Sequence, residues 1–194
     1  MPKVLPEYKE LVKSKIIEAA LKVFSLKGFY ATRMLDIAKK IGMSKATLYF
    51  YFKSKEDLLR MISITINQKL GEIFRMSFEW NNFAAAAEII YDRIADEVIL
   101  QLPIGLEILS LASRDETIGK IARDDREQGL AAIQSSLQHQ MDNGRITNAM
   151  DAHILAQLVL GLCWDIMLQQ LIGSDQSLAR ENWINLLTVI LEPQ

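Results

Sequence analysis

Apolar residues recur through residues 11–26 at spacings of three and four: Leu11 and Val12, Ile16, Ala19 and Ala20, Val23 and Phe24. That period places one helical face in a core, with Lys13, Lys15, Glu18 and Lys22 elsewhere on the surface. Gly28 follows as a left-handed cap. A shorter stripe of Leu35, Ile37, Ala38 and Ile41 predicts a second helix, capped by Thr32 at its start and ended by Gly42. Ser44 then caps a third segment, KATLYFYF. Two short helices joined by Gly42-Met43 make a helix-turn-helix.

Four consecutive rings, Tyr49, Phe50, Tyr51 and Phe52, lie on that third segment. Leu48 and Phe52 are four apart and share a buried face, with Tyr49 at its margin. Lys45, Ala46, Phe50 and Tyr51 then point outward, and exposed rings beside lysines need a surface to meet. A helix of about eight residues is about 12 Å long and fits the major groove of B-DNA. Base reading falls to its first residues, Ser44 to Thr47, which reach furthest into the groove. The Tyr51 hydroxyl suits a phosphate oxygen and Phe50 a thymine methyl or sugar edge. Lys55, just after the cap Ser54, sits at a helix N-terminus that also favours phosphate.

Beyond the third helix the pattern stays helical. Residues 54 to about 80 predict a long connecting helix, and 83–100 a strong helix former ended by Pro103. Further helices are predicted at 108–113, 117–144, 146–173 and 177–191, with Asn143-Gly144 and Gly173-Ser174 as breaks. The predicted fold class is all-α, with a three-helix domain over 1–53 and a helical domain over 54–194.

Charge sharpens this division. Residues 1–60 hold 13 Lys/Arg against 6 Asp/Glu, whereas 61–194 hold 9 against 18, although the net charge is only −2. A basic head on an acidic body suits a polyanionic partner, because each lysine that pairs with a phosphate releases a condensed counterion. The composition, 50% hydrophobic and 24% charged, is that of a folded globular chain. No targeting segment or long apolar run is apparent, and the single cysteine forms no intramolecular disulfide, so a cytoplasmic protein with no membrane partner is expected.

Catalytic and metal chemistry find little support. His139, His153 and Cys163 lack the close spacing of a zinc site, so no metal or cofactor is expected. Glu88, Asp92 and Asp96 stack at four-residue intervals, but no phosphate loop, nucleophile elbow or metalloprotease motif accompanies them. They are expected to form a solvated face paired with Arg93 or the run from Arg123 to Glu127, and the protein is not expected to be an enzyme.

Residues 16–62 resemble the DNA-binding domain of the TetR (tetracycline repressor) family. The resemblance rests on Ala19-Ala20 with Phe24 and Gly28, Thr32 before Asp36-Ile37-Ala38, Gly42, and the run from Ser44 to Phe52 followed by Lys53-Ser54-Lys55. It implies groove contact from Lys45, Ala46 and Tyr49, and backbone contact from Thr32, Thr47, Phe50, Tyr51 and Lys55. The residue before Asp-Ile-Ala, often polar in the family, is Leu35 here; Arg33, two places earlier, is the substitute considered for backbone contact.

The resemblance further implies a homodimer built from the last two long helices. Residues 154–172 and 183–191 are apolar around more than half the helix, as an interface on top of a core requires. A charged residue at Trp183 or Leu187 is therefore expected to yield monomers. An effector pocket in the second domain is expected from Met76, Phe78, Trp80, Tyr91 and Leu106 on its earlier helices. Met141, Cys163, Trp164 and Met167 complete it. The expected function is a sequence-specific transcriptional regulator on double-stranded DNA, a repressor released by a small-molecule effector. The alternative is a DNA-bound adaptor or chromosome-associated protein with no effector.

Overall fold

Nine α-helices run through the residues that the computed structural model describes, 6–78, 82–97, 102–146 and 150–191. They are α1 (Pro6–Lys27), α2 (Met34–Lys40), α3 (Lys45–Tyr51), α4 (Lys55–Ser77), α5 (Phe83–Glu97), α6 (Leu102–Ala112), α7 (Glu116–Asp142), α8 (Ala152–Leu171) and α9 (Gln176–Leu191). No strand occurs among the described residues, so the fold is all-α.

Chain breaks fall where the backbone leaves the right-handed region. Gly28, Gly42, Gly144 and Gly173 all have positive φ. Gly28 adopts φ +80° while its N–H donates to the Phe24 carbonyl at 2.8 Å, closing α1. A side chain there is disfavoured by the dihedral. The helices start on polar caps: Ser44 accepts from the Thr47 N–H, Asn82 from Ala84 and Ala85, and Asp151 from Ile154. Each satisfies an orphan donor of a first turn.

Three expectations are corrected. Thr32 does not cap α2: it is 1% exposed, and its hydroxyl donates to the Gly28 carbonyl at 2.7 Å, so it finishes α1 instead. The capping position is Arg33, whose N–H is accepted by Asp36 at 2.9 Å. The buried face of α2 runs Met34, Ile37, Ala38 rather than starting at Leu35, which is 43% exposed. Pro103 does not end a helix but lies in the first turn of α6, where a missing N–H costs nothing.

The described residues up to Ile64, with Pro103–Arg123, form one compact unit, and Thr65–Leu102 with the residues from Asp124 onward form another. In the first, Ile16, Ala20, Phe24, Ile37, Ala38, Leu48 and Leu58 are fully buried, and the Phe24 and Phe29 rings lie 5.2 Å apart. In the second, α5, α8 and α9 pack on one another around Phe74, Ile90, Ile133, Leu155, Val159 and Leu187. The Trp183 indole N–H donates to the Ala87 carbonyl at 2.7 Å, tying α9 to α5.

Helix α8 is long and apolar enough to cross a membrane by length and composition. Leu155, Ala156, Val159, Cys163 and Ile166 nevertheless pack it into the core of the second unit, while His153, Gln157 and Gln169 flank its exposed side and Asp165 lies on that side. That is the pattern of a core helix with one apolar stripe left outside.

Candidate nucleic-acid interface

Helix α3 is seated by one residue and presents the rest. Leu48 is fully buried, and Phe52 is buried at the C-cap. Ser44, Lys45, Ala46, Thr47, Tyr49 and Phe50 are exposed, Phe50 by 73%. Seven helical residues span about 10 Å, within the width of a major groove.

The preceding turn fixes how α3 leaves α2. Gly42 takes φ +67°, and the Met43 N–H reaches back to the Ala38 carbonyl at 2.9 Å. Ser44 then caps α3 through the Thr47 N–H at 3.0 Å, and the two hydroxyls are hydrogen-bonded to each other at 2.7 Å.

Cations and rings are interleaved on this face. The Lys45 ammonium stands 5.6 Å from the Tyr49 ring centre, one turn away. Phe50 and Tyr51 meet edge to face at 5.3 Å, and the Lys9 ammonium of α1 lies 5.8 Å from the Phe50 ring centre. Tyr51 is half-buried and Arg33 is exposed. Within the same unit Glu10, Glu18, Asp36 and Asp57 pair with Lys13, Lys22, Lys27 and Arg60. The Asp36 carboxyl is held below its ordinary value of 3.8, chiefly by the Arg33 N–H and then by Lys27.

Besides Ser44 and Thr47, two expected contact residues have internal partners. Thr32 turns its hydroxyl into the protein, which withdraws that side chain from the outer face. Lys55 is half-buried, and its ammonium donates to the carbonyls of Phe29 at 2.9 Å and Tyr30 at 3.1 Å. An ammonium has three donors, so one remains for a phosphate.

Sequence reasoning overlooked Lys9, whose place beside Phe50 depends on tertiary packing. It also missed Tyr30, 79% exposed at the corner between α1 and α2, and Glu107. The Glu107 carboxylate accepts the N–H groups of Phe29 and Tyr30. Nothing local in the sequence marks an acid on α6 as a partner of that corner.

Residues 16–62 match the family model described as bacterial regulatory proteins, tetR family. Those residues form a DNA-binding domain of the tetR family. Among relatives, the HTH-type transcriptional regulator YfiR of Bacillus subtilis strain 168, itself uncharacterized, is 26% identical over 165 residues, covering 83% of this chain and 80% of its own. Among solved structures, Salmonella enterica GusR superposes with a TM-score of 0.75 at 22% identity, over 98% of this chain and 99% of its own. The regulator FadR of Bacillus subtilis, solved with stearoyl-CoA, gives 0.66 at 19% identity, over 90% and 96%. With this domain the chain is a DNA-binding transcriptional regulator, and α2 and α3 lie within the matched residues.

The expected effector-pocket residues do not all lie in one unit. Phe78, Tyr91 and Cys163 are buried in the core of the second unit, with Met141 and Met167 packed against it. Met76 is exposed, Trp164 is half-buried, Leu106 belongs to the first unit, and Trp80 lies outside the described residues. Burial pushes the Cys163 thiol up to about 12, so it stays protonated and unreactive.

A groove of about 970 Å³ runs along α4 and α7 of the second unit. Gln68, Gly71, Glu72 and Arg75 form one side, Ala132, Ser135, Ser136, His139 and Gln140 the other, with Asn143 and Arg145 at one end. The helices come close at its floor, where a Cβ on Gly71 would lie 3.1 Å from that of Ala132.

The remaining candidates have ordinary partners. His139 is hydrogen-bonded to Asn143, and His153 to Gln134 and Gln157. Among the described residues no group of three His, Cys, Asp or Glu gathers as a metal site would need. Glu88 and Asp92 meet Arg180 of α9, at 3.4 and 2.9 Å, a partner distant in sequence and not among those expected.

Proposed function

We propose that this regulator acts as a homodimeric repressor that a small-molecule effector releases from its operator, with residues 1–53 as the DNA-binding domain and 54–194 as the effector-binding and dimerisation domain. Ser44, Lys45, Ala46, Thr47 and Tyr49 read the groove, while Arg33, Phe50, Tyr51 and Lys55 meet the backbone. A protein seated on an operator blocks other occupants of that duplex, so repression needs no further surface.

The observation that carries the dimeric reading is an uncovered apolar stripe on the last two long helices. Ile154, Leu158 and Leu168 of α8 and Leu186 and Val189 of α9 are all exposed, and Gly161 between them has open space where a side chain would stand. A second copy offers the same stripe, and two-fold pairing buries both. Two heads about one DNA turn apart, roughly 34–36 Å, double the contact that one short helix makes.

For the effector, stearoyl-CoA in the FadR structure supports a ligand-responsive role. The groove between α4 and α7 is lined by hydroxyl, amide and charged groups, which suits a hydrophilic effector more than a free acyl chain. A ligand held better by one spacing of the two heads shifts the population away from the spacing the operator requires.

Genomic footprinting with the purified protein, with and without a metabolite panel, tests the proposal. A protected two-fold site that at least one compound releases is the expected result. Protection that no compound alters, with a second protein retained on the complex, sinks the effector half in favour of the adaptor.

A further inference from the structure

Phe29 and Tyr30 form the corner between α1 and α2, and opposite charges hold the two edges of their peptides. On one edge the Glu107 carboxylate of α6 accepts the Phe29 N–H at 2.7 Å and the Tyr30 N–H at 3.1 Å. On the other, the Lys55 ammonium of α4 donates to the carbonyls of the same two residues at 2.9 and 3.1 Å. Gly28 makes room for the carboxylate, since a Cβ there would lie 3.0 Å from Glu107 Oε2. All five residues belong to the first compact unit.

Hydrogen bonds with one ionised partner are roughly twice as strong as neutral ones, and they fix position as well as energy. The corner leads directly to exposed Arg33 and to α2, against which α3 packs. Whatever sets the corner therefore sets how Tyr30, Arg33 and α3 meet a duplex. We infer that Glu107 is a positioning residue for DNA binding, through which α6 holds the helix-turn-helix in its binding pose. A contact at 2.7 Å tolerates only about 0.5 Å of displacement before it weakens. A shift of α6 is thus felt at the corner, and by linkage a duplex that grips the corner resists the shift. The inference rests on the assignment of α3 as the DNA-reading helix.

The test compares wild type with Glu107→Gln and Glu107→Ala, using the duplex that wild type selects from a random-sequence pool. Glutamine keeps the shape but loses the charge and turns one acceptor into a donor facing the amides. The expected result for Glu107→Gln is about tenfold weaker binding with an unchanged salt slope, because no phosphate contact is lost. Amide exchange at Phe29 and Tyr30 should accelerate while circular dichroism stays that of wild type. Should Glu107→Ala fail to fold, the glutamine variant carries the comparison. A lower melting temperature with unchanged duplex affinity of the folded variant makes Glu107 a structural residue only and overturns the inference. A wild-type protein that selects no duplex overturns the underlying assignment first, and the inference with it.

Discussion

The Lys55 ammonium donates to the main-chain carbonyl of Phe29 at 2.9 Å and stands 4.7 Å from the centre of that residue's ring. One lysine thus supports the corner of the head while its remaining N–H and its full charge stay available to a phosphate. Replacing Lys55 with Met should lower stability by about 1–2 kcal/mol, from lost charged hydrogen bonds and cation–π contact at a half-buried site. It should also flatten the salt dependence of DNA binding by about two units of slope, about one from each head of the dimer. Denaturant titration and salt titration read the two effects separately. A stability loss with an unchanged slope confines Lys55 to folding.

Asp36 gives the head an acid sensitivity of defined sign. Its carboxyl lies below the ordinary value of 3.8 because the ionised form is held by the Arg33 N–H and by Lys27. A group whose folded pKa is depressed contributes stability above its unfolded pKa and loses it as pH falls through the folded value. Wild type should therefore melt higher than Asp36→Asn at about pH 6, and the gap should close as pH falls below 3.8 and through the depressed folded value. A gap that persists in acid would mean that the carboxylate's charge is not what stabilises the start of α2.

The apolar residues of α8 and α9 divide between two jobs, and the division corrects the expectation drawn from periodicity. Trp183 is 3% exposed and Leu187 fully buried inside their own chain, so a charged residue at either should unfold the second unit rather than separate subunits. Truncating Leu187 to Ala alone is expected to cost about 2–5 kcal/mol. The outward residues are the proper probes. Leu158→Glu or Val189→Glu should leave helicity intact and yield monomers in sedimentation velocity, because a charge at the centre of an apolar interface is left desolvated and unpaired. Dimers that survive both changes would place the interface elsewhere.

Much of the head was legible in the sequence because its determinants are local. Gly28 and Gly42 announce left-handed turns, Ser44 and Ser54 announce caps, and the spacing of Leu48 and Phe52 separates the seated side of α3 from the presented side. The exact start of α2 was not legible, because Thr32 and Arg33 compete for one position and packing against the end of α1 decides between them. Contacts distant in sequence were hidden altogether. Glu107 reaches Phe29 across 78 positions, and Asp92 finds Arg180 across 88. In α8 and α9, apolar residues lie nearly all round, so periodicity shows that two sides are covered without showing which side faces the core. The same ambiguity makes Phe78, Tyr91 and Cys163 readable as core or as pocket lining, and all three are buried in the second unit.

Duplex binding by the purified protein across a range of salt tests the central claim most directly. With two heads making roughly three phosphate contacts each, log association constant should fall linearly with log salt at a slope of about −5. Lys45→Ala and Tyr49→Ala, changes at groove-reading residues, should each weaken preference for the selected sequence over random duplex. A folded sample that binds no duplex at low ionic strength would contradict the account.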